Sequence, residues 1–199
     1  MKLLSLVTSI ILVISMSAYS CAEQMRNSHH VGFQAGSGGV EYEERNSDGQ
    51  GVGHSYLYYN YQFIPHYYLE AGVLAGGDIN NWGCKNSVNG NLECRTDDSH
   101  NFEFNADSFD YNALTIAFKT DLKLSKRNKL YGKFGAEFYE YEFKFDHQKT
   151  IDEDGVGLLL EAGWEYRWDN GMGINASMQY HDMSDLEMRA LNIGVSYAF

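Results

Sequence analysis

The segment Tyr180-His181-Asp182-Met183-Ser184-Asp185-Leu186-Glu187 carries the residue types of hydrolytic chemistry in one short run. A serine hydroxyl becomes a nucleophile when an imidazole takes its proton and a carboxylate orients that imidazole. His181, Ser184 and Glu187 are the candidate base, nucleophile and orienter. The plainer reading is a polar loop carrying an ordinary histidine, and it is the preferred one. The other histidines are His29, His30, His54, His66, His100 and His147, and no pair has the HExxH spacing of a zinc hydrolase. No metal site and no cofactor is expected. Cys84 and Cys94 are a second pair with chemistry, nine residues apart. In an exported chain such a pair reads as a disulfide, and nothing around it has zinc-ligand spacing.

Export is itself legible. Lys2 supplies a positive start, Leu3 to Ile14 is mostly apolar, and Ser20-Cys21-Ala22 is a small-residue cleavage site. Residues 1–22 therefore read as a signal peptide and 23–199 as one mature domain. Ala18-Tyr19-Ser20 is a poor match for the box that precedes an acylated cysteine, so Cys21 is not read as a lipid anchor. No later stretch reaches the ~18 apolar residues of a membrane helix. The formal charge is −12, which argues against nucleic acid, because phosphate binding needs clustered Lys and Arg.

What must position these residues is a set of strands. The chain has 20 Gly and 15 Tyr but only 1 Pro, a composition suited to β ladders, which proline interrupts. At the C-terminus Leu191, Ile193, Val195, Tyr197 and Phe199 alternate with Asn192, Gly194, Ser196 and Ala198. That is the period of a two-faced strand. Val156 to Trp168, Met172 to Tyr180, Leu114 to Leu122, Leu130 to Phe138, Leu69 to Ala75, Leu57 to Phe63 and Val31 to Ala35 repeat it, for eight strands. One face is apolar and often aromatic. The other holds glycine, amides and the charges Glu70, Lys119, Asp121, Lys133, Glu137, Glu161, Glu165 and Arg167. The connections alternate. Tyr42 to Gln50, Asp78 to Asp110, Asp146 to Asp154 and His181 to Asp185 read as acidic loops. Pro65-His66, Ser125 to Lys129 and Asp169-Asn170-Gly171 read as short turns, the last with a favoured Asn-Gly pair.

Two-faced strands with loops at one end and turns at the other are the pattern of a membrane barrel. From Glu23 to Phe199 the sequence resembles the small eight-stranded outer-membrane β-barrels of Gram-negative bacteria, the OmpA-transmembrane and OmpX-like family. The resemblance implies an all-β, antiparallel, up-and-down barrel with periplasmic termini and extracellular loops. It implies that Phe199, Tyr197, Val195, Ile193 and Leu191 form the signal read by the barrel-assembly machinery. Outer-membrane lipid and lipopolysaccharide are the implied surroundings. On β-strand arithmetic, nine residues tilted by ~45° cross the hydrocarbon. The change from Phe138 to Glu140, Glu142 and Lys144 thus marks where one hairpin leaves the membrane, with Tyr139, Tyr141, Phe143 and Phe145 capping the mouth.

Three functions are weighed. A non-enzymatic barrel would present acidic loops for adhesion, colonisation or envelope integrity, with the longest loop, Asp78 to Asp110, touching a host surface or basic partner. A lipid A hydrolase would work from His181 and Ser184. The lipid A deacylase barrels carry His-x-Ser-Asn on a strand, whereas here Ser184 follows His181 by three and no Asn follows it. A narrow channel would need unpaired interior charges along a continuous path. Eight strands leave an interior that side chains fill, so a paired network is the preferred reading.

Overall fold

The computed structural model describes residues 28–42, 50–78, 83–86, 92–95, 108–145 and 149–199. The expected signal segment lies outside them, as do most residues of the first and second loops. The strands are β1 (His29–Tyr42), β2 (Gln50–Ile64), β3 (Tyr67–Asp78), β4 (Gly83–Asn86), β5 (Leu92–Arg95), β6 (Ser108–Lys123), β7 (Asn128–Phe145), β8 (Lys149–Arg167), β9 (Met172–Met183) and β10 (Leu186–Ala198). β4 and β5 form a separate two-stranded sheet. The other eight close into a barrel in which every strand pairs with its sequence neighbour and β1 pairs antiparallel with β10.

The period of two sorts the side chains. Leu191, Ile193, Val195, Tyr197 and Phe199 are all outward and exposed, as are Leu114, Ile116 and Phe118 on β6 and Leu130, Phe134 and Phe138 on β7. Gln34, Asn60, Glu70, Glu137, Glu161 and Gln179 are buried inside. Such a molecule is inverted relative to a water-soluble fold. A continuous apolar exterior is intolerable in water and required in hydrocarbon. Closure is equally required, because lipid offers no partner to an unpaired strand edge. The seam runs to the last residue. The Phe199 N–H donates to the His29 carbonyl at 2.8 Å, and the two rings stack 5.8 Å apart. Phe199 is thereby joined to the closing ladder.

Glycine on the inner face has a packing cause. The Tyr131 ring lies over Gly163, where an added Cβ would come within 2.6 Å of it, and Tyr58 covers Gly32 in the same way. The small backbone of one strand admits the ring of its neighbour, so large rings fill a narrow lumen.

Three connections differ from expectation. β8 begins at Lys149, so Asp152, Glu153 and Asp154 belong to a projecting hairpin: Asp154 pairs with Glu140 and Glu153 with Tyr141. Hydrogen bonding between strands continues above the membrane there. The segment His181 to Asp185 is no loop. β9 runs to Met183 and β10 starts at Leu186, leaving a two-residue turn with Ser184 at φ 62°. The polar run resembles a loop because Asp182 and Glu187, on the two strand ends, flank the turn directly. The second loop contains the β4–β5 hairpin.

Two glycines test this packing. An alanine methyl at Gly38 would strike the Arg189 carbonyl oxygen across the β1–β10 seam, whereas one at Gly132 meets nothing within 4 Å. In urea titrations of the barrel refolded into lipid vesicles, Gly38→Ala should lose about 1–3 kcal/mol. Gly132→Ala should stay within about 0.5 kcal/mol of the parent.

Candidate functional site

The barrel lumen holds the charges, and it pairs them. Lys133 on β7 is at the centre, its side chain 1% exposed, with its Nζ 2.5 Å from Glu70 Oε1 and 2.6 Å from Glu161 Oε2. Both carboxylates take further hydrogen bonds, although Glu70 Oε2 has none among the described residues. Tyr56 donates to Glu70 at 2.6 Å, and Tyr131 donates to Glu161 at 2.7 Å. The Gln34 and Gln179 amides donate to Glu161 at 3.0 and 2.8 Å. One cluster thus joins β1, β2, β3, β7, β8 and β9. Below it, towards the turns, Glu165 lies 3.5 Å from Lys119 and 2.6 Å from Arg167, and the Lys119 ammonium sits over the Tyr131 ring. Above it, towards the loops, Val40, Val52, Leu74, Phe109, Tyr141, Phe143, Met183, Leu186 and Met188 form an apolar core. The expected aromatic cap is therefore present, with Phe109 and Phe143 stacked 4.7 Å apart.

The hydrolase candidates separate. His181 points into the lumen, 1% exposed, and its Nδ1 is 2.7 Å from Glu137 Oε2. Its Nε2 meets the Gln179 side-chain oxygen at 3.3 Å, so a side-chain oxygen already occupies the place a nucleophile would take. Ser184 stands on the exposed turn. Glu187 binds Arg189 two residues on at 3.2 Å. His181 does have an orienting carboxylate, but it is Glu137 from β7 and not Glu187. The sequence reading places Glu137 on the inner face in a paired charge network and names no partner for it. The shared inward parity of positions 179 and 181 was the available signal. Gln34, Asn175 and Gln179, the amide members of the lumen network, share that parity and were passed over because they carry no charge.

Among the described residues no group of three His, Cys, Asp or Glu is placed to hold a metal ion. At the root of the second loop Asp78 and Asp110 lie close together. Burial, and then the Asp110 charge, raise the Asp78 carboxyl above its ordinary range. The register of β4 and β5 sets Cys84 directly opposite Cys94.

The model of the outer membrane protein beta-barrel domain family matches residues 8–199. The chain belongs to that family. Its place is accordingly the outer membrane of a Gram-negative bacterium. No curated protein matches it. Among solved structures it is similar to Ail, the attachment invasion locus protein of Yersinia pestis, at 16% identity and TM-score 0.57, over 87% of this chain and 99% of that one. Neisserial surface protein A aligns at 10% identity and TM-score 0.62, over 86% and 97% of the two chains. OprG of Pseudomonas aeruginosa aligns at 12% identity and TM-score 0.52, over 87% and 96%. At these identities the likeness is one of fold.

The lumen network has a direct test. Lys133→Ala would leave two buried carboxylates facing one another without a cation. Breaking a buried pair in this way costs about 3–5 kcal/mol. The variant should refold poorly or unfold at markedly lower urea in lipid vesicles, while Lys126→Ala, an exposed cation at the turns, should change stability by less than about 1 kcal/mol.

Proposed function

We propose that this barrel is a non-enzymatic surface protein that presents acidic loops to a basic partner, serving adhesion, colonisation or envelope integrity. The observation that carries the reading is the lumen itself. Its charged side chains lie beside partners and it is capped by an apolar core, which favours the loops as the acting part. Loops on a rigid scaffold are where recognition is commonly placed. In this reading the termini and short turns are periplasmic, and the loops face outward through lipopolysaccharide. Phe199 and the alternating residues before it serve the assembly machinery. A Cys84–Cys94 disulfide would clamp the β4–β5 hairpin and reduce the entropy of the longest loop.

The printed name of Ail points to attachment, and that protein has been crystallised with the heparin analogue sucrose octasulfate. A polyanion is the wrong sign for the loop proposed here. From Asp78 to Asp110 there are seven acidic residues against Lys85 and Arg95. Charge complementarity selects a cationic surface.

The register supplies a clean deletion. Gly77 lies opposite Asp110, so residues 79–107 can be replaced by a tight turn without disturbing the barrel. The intact protein in nanodiscs should bind a lysine-rich peptide in a salt-sensitive manner and ignore a sulfated oligosaccharide. The deletion should lose that binding and still fold. Equal binding by both forms, or capture of the sulfated sugar, would count against the reading. For the enzymatic alternative, lipid A from cells with and without the protein should have the same mass. Loss of an acyl chain that depends on His181 would establish a hydrolase instead.

A further inference from the structure

The turn end of the barrel has the opposite charge to the loops. Lys119 to Lys129 contains five cations and one acid, Asp121, in a chain whose net charge is −12. Between the Pro65-His66 turn and the Leu124 to Arg127 turn lies a cavity of about 260 Å³, lined in part by Lys123, Lys126 and Lys129. Its other wall includes Phe63 and Ile64, which are 38% and 41% exposed on the lipid side.

The floor of this cavity is built. The Asp121 side chain is 3% exposed, and its carboxylate accepts hydrogen bonds from Tyr68 and Lys129, both at 2.7 Å. The His66 ring lies 2.5 Å from its other oxygen. The Asp121 N–H donates to the His66 carbonyl at 3.0 Å, which ties the first turn to β6. His66 is held at φ 71°, a left-handed conformation uncommon for a residue with a side chain. These bonds use the Asp121 charge on Lys129. Lys123 and the exposed Lys126 are not used by these bonds. Lys126 lies 3.6 Å from Asp169, but Arg127 already holds that carboxylate at 2.5 Å. Lys123 has no acidic partner among the described residues.

We propose that this pocket binds the phosphate ester of an anionic glycerophospholipid, with Lys123 and Lys126 on the phosphate and Phe63 and Ile64 against the glycerol and upper acyl chain. One unpaired cation, Lys123, and one exposed cation that shares Asp169 with Arg127, Lys126, stand beside an apolar wall at the level where strands leave the hydrocarbon, which matches an amphiphile with a negative head. A soluble phosphate ester would use the cations and leave the apolar wall idle. The assignment to the inner leaflet rests on the orientation proposed above. Binding itself does not, and it can be measured in micelles where orientation has no meaning.

The test is native mass spectrometry of the full mature barrel in a neutral detergent with phosphatidylglycerol added. The protein should retain phosphatidylglycerol over phosphatidylcholine. Lys123→Gln with Lys126→Gln should weaken it by roughly thirtyfold for two interfacial charges. Arginine at both positions should keep it. Lys144→Gln with Arg189→Gln, at the loop end, removes the same charge and should leave it unchanged. A gel shift on heating confirms that each variant is folded. Equal retention by the double glutamine variant, or equal loss in the loop-end pair, would overturn the site. Glycerol phosphate that displaced the lipid at the same concentration would overturn the lipid assignment in favour of a soluble ester. An acidic cell-wall fragment bound in preference to the lipid would overturn it as well.

Discussion

A single buried ammonium organises the molecule. Lys133 is sealed between Glu70 and Glu161, 2.5 and 2.6 Å away, in a lumen with no bulk water to screen it. A charge in such a place must be paired and hydrogen-bonded or it cannot be ionised. The polar groups nearest to it meet much of that requirement, although Glu70 Oε2 has no hydrogen-bond partner among the described residues. Tyr56 and Tyr131 donate to the two carboxylates, and Gln34 and Gln179 complete one of them. Because these groups come from six strands, the cluster also fixes how those strands sit around the lumen. Buried ion pairs gain little net stability over an apolar core, but they tolerate few alternative arrangements.

That requirement sets the functional boundary. Most charges of this lumen are tied to one another, with Glu70 Oε2 and Glu137 Oε1 left without a hydrogen-bond partner among the described residues. The aromatic and aliphatic cap above, from Val40 to Met188, closes the loop end. His181 is drawn into the same logic. Its partner is Glu137, and Gln179 links it to the Lys133 cluster. It is an interior residue whose ring completes the packing beneath the cap. What remains outside is charge separated by end, acidic at the loops and basic at the turns between β2 and β7.

The architecture was legible because a strand's period of two is visible in residue types alone. Leu191 to Phe199 announced the closing strand, and the break from Phe138 to Glu140 announced the rim. The interior charges were equally visible as the polar parity of each strand. Their partners were not. Glu137 and His181 are 44 residues apart and Gln34 and Glu161 are 127 apart, and only register brings them together. The Ser184 turn was misread for a related reason. A strand that leaves the membrane turns polar on its outer face, at Asp182 and Glu187, and in one dimension that resembles a loop. The pocket at the turns was invisible because it joins Lys123 to a turn nearly sixty residues earlier.

The most direct measurement is the conductance of the refolded barrel in a planar lipid bilayer. A lumen closed by the Lys133 cluster and the apolar cap predicts a baseline indistinguishable from protein-free bilayer. Stepwise currents whose ion selectivity changed with Glu161→Gln would show that the interior is a path, and would contradict the account.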